Sequence, residues 1–354
     1  MSAATTITLQ RIAGWRRAGL LPVLFLVLAG AVTLGASIGP VVVPPDAVLA
    51  ILLRKAGIVL DVPVSAQQEA IFWTIRLPRV LLGVLAGAAL AVSGALLQGV
   101  FRNPLADPGL IGVSSGAALG AVAVIVLGGS SAGLMTLPLA AFLSGTATTF
   151  FVYRLAQRHG RTDVATLLLV GLALNALAGA ATGLLTYLAD DAQLRSIVFW
   201  TMGGLGGALW ETVLVAAPLI GAALALAPRL GRALNLFALG ETEARHLGIE
   251  VEQVKRAAIL LAALATGTAV ALVGPIGFIG LIVPHIVRLI AGPDHRLLLP
   301  ACASGGASLL VLADLVARTM AAPAEVPVGL ITAFAGGPFF LALILRARRQ
   351  YGWG

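Results

Sequence analysis

The segment that decides the fold is a polar interruption between two apolar runs, in VLLGVLAGAALAVSGALLQGVFRNPLADPGLIGVSSGAALG, residues 80–120. Residues 80–101 and 108–153 contain no charged side chain. A helix crosses a bilayer with about 20 apolar residues, so the first run can form one span and the second can form two. The interruption FRNPLADPGLIGVSSG, residues 101–116, is therefore expected to connect one span to the next.

The composition of the whole chain agrees with a membrane protein. Hydrophobic residues make up 59% of its 354 residues and charged residues 11%, whereas a soluble domain averages about 25% charged residues. The 42 glycines and 18 prolines are tolerated in packed transmembrane helices. The composition predicts an all-α polytopic membrane protein that forms one transmembrane domain over residues 1–354. Its single cysteine, Cys302, excludes an intrachain disulfide framework and is expected in the core.

Charge-free runs predict where the spans lie. They cover residues 18–45, 80–101, 108–153, 164–189, 212–228, 257–284, 297–313 and 326–345. The run 108–153 is expected to turn at Gly128-Gly129-Ser130-Ser131, which gives nine spans. A tenth follows if the run from 257 continues through GPIGFIGLIVPHIVR, residues 274–288, as two short spans.

The distribution of positive charge favours ten spans with both termini in the cytoplasm. In that topology the outside face holds only six of the 23 Lys and Arg residues, namely Arg54, Lys55, Arg76, Arg79, Arg195 and Arg318. A nine-span topology places more basic loops outside. The net charge of +8 is thus explained by membrane orientation, and no nucleic-acid partner is expected.

The chain lacks the motifs of an enzyme or of a metal site. A Walker A loop requires a lysine within G-x-x-x-x-G-K-[ST], but Lys55 and Lys255 follow Arg54 and Val254. Any ATP chemistry must therefore belong to a partner, and the chain is expected to be non-catalytic. The histidines have no paired ligand spacing, so no metal ligand is assigned to them: His159, His246, His285 and His295.

One alternative from another functional class is a proton-coupled secondary transporter. Ionisable residues inside the membrane indicate such coupling, and Asp314 is the candidate. The competing interpretation is a helix-end carboxylate that pairs with Arg318 four residues later. Under proton coupling, Asp314→Asn abolishes uptake, whereas an ATP-driven importer keeps it.

Two further motifs indicate partners on opposite faces. RLPR, Arg76 to Arg79, lies at the outer mouth of the second span, where its arginines either anchor the helix at the interface or capture carboxylates of an external partner. The cytoplasmic loop 229–256 contains a short amphipathic stretch, residues 241–247, between Gly240 and Gly248. A helix of this kind favours a partner on the inner face.

Several stretches together resemble a known family. They are residues 76–120, ALGETEARHLGI at 238–249, GPIGFIGLIVPHIVRLI at 274–290, and residues 294–340. These stretches, in this order, are similar to the FecCD-type permeases, the membrane subunits of type II ABC importers for iron siderophores, heme and cobalamin. Within that family, residues 190–210 look most like the heme permeases, with ferric siderophore and cobalamin as alternative cargoes.

The resemblance implies an assembly. It implies a homodimer of this permease in the bacterial inner membrane, two copies of an ABC ATPase that use Mg-ATP, and a periplasmic heme-binding protein. No cofactor is implied for this chain itself, and heme is the transported substrate. The ATPase is expected to contact a coupling loop at about 229–256, through Leu239, Gly240, Glu241, Ala244, Leu247 and Gly248.

The resemblance also implies roles for other positions. It assigns docking of the binding protein to Arg76, Arg79 and Arg318, and a cytoplasmic gate to Asn103 and Leu105. At a second gate position the family has small polar residues, whereas this chain departs from the pattern with Val164 and Ala165. The translocation pathway follows the fifth span and is expected to include Gly171, Asn175, Gly179, Gly183 and Tyr187. The small residues of this span leave room for a bulky ligand, or they allow close helix packing through the small-xxx-small pair Gly179 and Gly183.

Overall fold

The computed structural model describes the backbone of residues 3–158 and 160–351, so His159 lies outside the described residues. Within these ranges nearly all of the regular secondary structure is helical. Two short strands, β1 (Gln157–Arg158) and β2 (Arg161–Thr162), pair antiparallel as a hairpin. The fold class predicted from the composition is therefore confirmed.

The helices divide into long membrane-spanning elements and short connecting elements. In chain order they are α1 (Ala3–Ser37), α2 (Pro45–Lys55), α3 (Ala66–Ile71), α4 (Leu77–Phe101), α5 (Val113–Val126), α6 (Thr136–Leu155), α7 (Val164–Tyr187), α8 (Asp191–Met202), α9 (Trp210–Leu226), α10 (Gly231–Phe237), α11 (Glu241–His246), α12 (Val251–Val273), α13 (Ile279–Ala291), α14 (His295–Thr319) and α15 (Val328–Tyr351). A π-helical turn, Phe72–Arg76, joins α3 to α4 without a break. Short 3-10 turns precede α5, α6 and α10.

The number of spans agrees with the ten-span prediction. Among the described residues, seven helical stretches are long and apolar enough to cross a membrane. Three shorter apolar helices, α5, α13 and the first part of α15, bring the number of candidate spans to ten. The two predicted breaks are also present. The chain turns between α5 and α6, where Gly128 has φ +75°, and between α12 and α13, where Phe278 has φ +69°.

Helix α4 lies at the centre of the bundle and is buried along nearly its whole length. It packs against α9, α12, α13 and α14. At two places glycines bring the backbones into contact. A Cβ atom added to Gly87 would lie 2.3 Å from the carbonyl oxygen of Gly306 in α14, and one added to Gly94 would lie 2.0 Å from that of Gly280 in α13. Close approach of this kind is how membrane helices gain packing energy, because the lipid is as apolar as the side chains.

The Gly94 contact can be tested by stability. We expect Gly94→Ala to lower the thermal midpoint of the detergent-solubilised protein, because the added methyl group must push α4 away from α13, at a cost of about 1–3 kcal/mol. The matched control is Gly221→Ala in α9, where an added Cβ meets no described atom within 4 Å. Equal thermal midpoints for the two variants would show that α4 and α13 are not held in backbone contact.

Candidate functional site

At the end of the bundle that the topology places outside, five charged residues form what we call the outer cluster: Arg76, Arg79, Asp314, Arg318 and Glu325. Its centre is Arg79, near the start of α4. The Nε atom of Arg79 donates to both carboxylate oxygens of Asp314 at 3.0 Å, and its Nη2 donates to Oδ1 at 2.9 Å. Its Nη1 donates to the two oxygens of Glu325 at 2.9 and 3.0 Å. One guanidinium thus joins α4, α14 and the loop that precedes α15.

The two carboxylates that bind Arg79 differ in their access to solvent. The side chain of Asp314 is 3% exposed, whereas that of Glu325 is 51% exposed. Asp314 also lies 3.8 Å from Nε of Arg318, so the pairing predicted from their spacing is present but is secondary to Arg79. Asp314 is therefore a buried structural carboxylate, and Glu325 is a partner that solvent can reach.

The other two arginines of the cluster bind backbone carbonyls. Arg76 donates through Nη1 to the carbonyls of Ala36 at 3.0 Å and Ser37 at 2.8 Å, and through Nη2 to that of Val41. Arg318 donates to the carbonyl of Gly35. The last carbonyls of a helix have no intrahelical donor, and these guanidiniums supply donors to the end of α1. The arginines Arg76, Arg79 and Arg318 are all buried, with residue exposures of 3%, 7% and 9%.

A cavity of about 400 Å³ opens beside Arg79 and Glu325. Its wall includes Trp200 of α8, the glycine-rich segment 203–207, and Pro327 immediately before α15. Part of this wall is held by backbone bonds, since Gly204 donates to the carbonyl of Val273 at 2.8 Å. The outer cluster therefore borders a recess that a protruding side chain of another molecule can enter.

At the opposite end of α4, residues 102–112 form what we call the inner turn. Arg102 ends α4 in the left-handed conformation, with φ 49°. The side-chain oxygen of Asn103 accepts from the backbone N–H of Leu105 at 2.9 Å, and Leu105 is 49% exposed. Asp107 then caps the 3-10 turn Pro108–Ile111 through the N–H of Gly109. Both gate candidates, Asn103 and Leu105, thus lie on a structured and exposed turn.

The pathway candidates all lie on α7, and their surroundings separate them into two groups. Gly171 and Asn175 contact the inner turn: a Cβ on Gly171 would lie 2.0 Å from the carbonyl oxygen of Leu110, and the Asn175 side chain donates to the carbonyl of Gly109 at 3.0 Å. Gly179 and Gly183 have no described atom within 4 Å of such a Cβ, and Tyr187 is 85% exposed. The first two residues therefore position α7, whereas the last three lie on its open face.

That open face is apolar over the length of α7. Leucines project from it with exposures between 63% and 67%, at Leu169, Leu172, Leu177 and Leu184. In this single chain only Leu167, Gly171 and Ala178 of α7 are buried, among residues that the structure describes. A face of this kind requires lipid or another protein surface against it.

The loop between α9 and α12, which the predicted topology places in the cytoplasm, contains the short helix that the sequence predicts, as α11. Gly240 and Gly248 flank it with φ +122° and +83°, conformations that favour glycine. Ala244 is fully buried against Phe237 and Val251. Leu239 and Leu247 are 61% and 57% exposed, and Glu241 is half-buried. The helix is thus fixed on its inner side and leaves two leucines free to contact a partner.

Sequence reasoning missed Glu325 as a member of the outer cluster. The residue lies in AAPAEVP, residues 321–327, within the connection between α14 and α15. The available signal in the sequence was an acidic residue in a predicted outer loop, on the face that also carries Arg76, Arg79 and Arg318. Its partner could not be identified from spacing, because Arg79 is 246 residues away in the chain.

The role of Asp314 predicts a loss of stability. We expect Asp314→Asn to lower the free energy of unfolding by about 3 kcal/mol or more, because Arg79 and Arg318 would stay buried without their shared carboxylate. The control is Glu69→Gln, which removes the carboxylate of the more exposed pairs with Arg54 and Lys55 and should have little effect. Chemical unfolding in detergent measures both. Loss of uptake by Asp314→Asn would consequently not indicate proton coupling, and an unchanged stability would contradict the structural role.

Comparison with known proteins places this geometry in a family. The model of the FecCD transport family matches residues 25–346. Hemin transport system permease protein HmuU of Yersinia pestis is 53% identical over 283 residues, which are 79% of this chain and 84% of that protein. Cobalamin import system permease protein BtuC of Halobacterium salinarum is 47% identical over 289 residues, which are 82% of this chain and 76% of that protein.

A solved structure agrees with these sequence relatives. A metal-chelate type ABC transporter in an inward-facing conformation matches with a TM-score of 0.81 and 33% identity, over 93% of this chain and 99% of that chain. The resemblance seen in the sequence motifs is confirmed. Since the family model and the relatives cover most of its length, the chain belongs to the FecCD transport family.

Proposed function

We propose that this protein is the permease subunit of an ABC importer that moves heme across the bacterial inner membrane. The observation that carries the cargo assignment is the 53% identity to a hemin permease over 84% of that protein. The cobalamin permease at 47% identity keeps cobalamin as the first alternative, and a ferric siderophore is the second. The whole chain acts as one permease domain, with both termini in the cytoplasm.

Energy comes from a partner in this proposal. The sequence has no P-loop, and both of its lysines are engaged: Lys55 pairs with Glu69 at 3.1 Å and Lys255 with Glu241 at 2.8 Å. Two copies of an ABC ATPase bind Mg-ATP and dock at α11, which is flanked by the exposed residues Leu239 and Leu247. The permease itself performs no catalysis and needs no cofactor of its own.

The pathway forms between two copies of α7 in a homodimer. Its apolar, exposed face supports this arrangement, because a second copy of the same face would shield it from lipid. Gly179, Gly183 and Tyr187 then border the pathway, whereas Gly171 and Asn175 keep α7 in register with the inner turn. A large planar porphyrin needs such an apolar, roomy passage. The exposed Asn103 and Leu105 form its cytoplasmic gate, and Val164 and Ala165 at the start of α7 occupy the second gate position.

The periplasmic heme-binding protein docks at the outer cluster. Arg76, Arg79 and Arg318 are buried and already engaged, so a docking carboxylate must compete with an internal partner. Glu325 is the partner that can be displaced, since its side chain is half exposed while Asp314 is buried. A carboxylate of the binding protein would enter the adjacent recess and replace Glu325 on Arg79.

This competition predicts tighter docking when Glu325 loses its charge. We expect Glu325→Gln to strengthen binding of the binding protein by about tenfold, the value of one charged hydrogen bond that no longer competes. The measurement is the dissociation constant on the permease in nanodiscs. Asp61→Asn, which neutralises an exposed carboxylate of another outer loop, should leave the constant unchanged. Weaker or unaltered binding by Glu325→Gln would remove Glu325 from the docking mechanism.

The cargo and the energy source are tested together by reconstitution. Proteoliposomes that contain this chain, its candidate ATPase and its binding protein should accumulate heme when ATP is supplied, and not with a non-hydrolysable analogue. A proton uncoupler should have no effect. Accumulation of cobalamin or a ferric siderophore in place of heme would overturn the cargo. Uptake that continues without ATP and stops with the uncoupler would indicate a proton-coupled transporter.

A further inference from the structure

Lys255 is buried at the cytoplasmic side of the bundle, where its role is not explained by the sites described above. Its side chain is only 2% exposed, which is rare for a lysine unless the ammonium group is paired. The Nζ atom donates to the carbonyl of Thr162 at 2.8 Å and to Glu241 Oε2 at 2.8 Å, and it lies 3.5 Å from Glu252 Oε1. An ammonium group has three donors, and here each one has an acceptor.

The three acceptors belong to three different elements. Thr162 ends the β1–β2 hairpin, Glu241 is the first residue of α11, and Glu252 lies in the first turn of α12. Glu252 also accepts from the backbone N–H of Thr162 at 2.8 Å. Both backbone groups of Thr162 are therefore held by the pair Lys255 and Glu252. The same lysine attaches the hairpin to α11.

The hairpin leads directly into the pathway helix. Asp163 follows Thr162 and caps α7, since its Oδ2 accepts from the N–H of Thr166 at 2.7 Å. These hydrogen bonds with Thr166 lower the pKa of the Asp163 carboxyl and keep it charged at the helix start. Val164, the first residue of α7, is thus only two residues from the carbonyl that Lys255 binds. A displacement of α11 can therefore be transmitted to the beginning of α7 through a short series of hydrogen bonds.

The chemistry of the contact favours lysine at this position. Removal of the ammonium group would leave two carboxylates, Glu241 and Glu252, beside each other with no cation between them. Arginine would not substitute simply, because its planar guanidinium has a different donor geometry from the compact ammonium group. Nearby arginines line a cavity of about 460 Å³ but make no described hydrogen bond to either glutamate: Arg102, Arg158, Arg161 and Arg245.

We propose that Lys255 is a positioning residue that transmits movement of α11 to the start of α7, so that ATP-driven displacement of the loop reaches the cytoplasmic gate. The inference rests on the proposed function, because the displacement is supplied by the partner ATPase. Loss of Lys255 should uncouple the two helices while leaving the ATPase bound and active.

The first test compares cargo moved with ATP hydrolysed in the reconstituted transporter. We expect Lys255→Met to reduce heme transported per ATP by about threefold or more, the effect of changes within a coupling network. Glu241→Gln should reduce it less, because the side-chain amide oxygen of this variant can still accept from Lys255 without the charge, and this variant decides the outcome if Lys255→Met does not assemble. Lys55→Met is the matched control, since it removes the other paired lysine from the opposite face. A wild-type ratio in both network variants would overturn the proposal.

The second test separates transmission from simple stabilisation. Hydrogen exchange of residues 157–168 is measured in the complex, with and without nucleotide trapped by vanadate. In the wild type, trapping should change the exchange of this segment, and in Lys255→Met the change should disappear. Faster exchange in both states, with the nucleotide response retained, would show a role in stability alone and overturn the proposal. This readout does not depend on cargo: absence of uptake by the wild type would refute the proposed function, while the exchange comparison still decides the role of Lys255.

Discussion

Backbone contact between α4 and its neighbours is the constraint on which the rest of the structure depends. Gly87 and Gly306 bring α4 against α14, and Gly94 and Gly280 bring it against α13. The short interhelical distance allows Gln98 to reach the carbonyl of Gly280 at 2.9 Å. Helix α4 is thereby fixed along its length, with the outer cluster at one end and the inner turn at the other. Both proposed sites are consequently held by one rigid element.

The sequence was sufficient to predict the spans and their breaks, because these depend on local properties. Apolar length determines whether a run can cross a bilayer, and turns at Gly128 and between α12 and α13 follow from residues that cannot continue a helix there. The principal partner of Asp314 was harder to predict from the sequence. Its i+4 neighbour Arg318 is visible in the sequence, whereas the principal partner, Arg79, is 235 residues distant. Long-range ion pairs depend on helix packing, which spacing alone does not encode.

The pathway candidates show the same limit at single residues. Gly171 and Gly179 are equivalent in the sequence, since both are small residues in one apolar span. In the structure, the backbone of the inner turn lies against Gly171, and Gly179 faces open space. A glycine that permits packing and a glycine that leaves room differ only in their neighbours. The polar residue Asn175 is expected to line the pathway, and its amide group also donates to the inner turn, a contact that the sequence does not indicate.

The exposed apolar face of α7 has a genetic consequence in the proposed homodimer. Because one gene encodes both walls of the passage, each codon change there alters two side chains that meet across the symmetry axis. Leu172 or Tyr187 can never vary on one wall alone. A single mutation to a charged residue brings two like charges together, and a single mutation to a smaller residue widens the passage from both sides. Cargo preference in such a protein can therefore change in large steps, through few mutations.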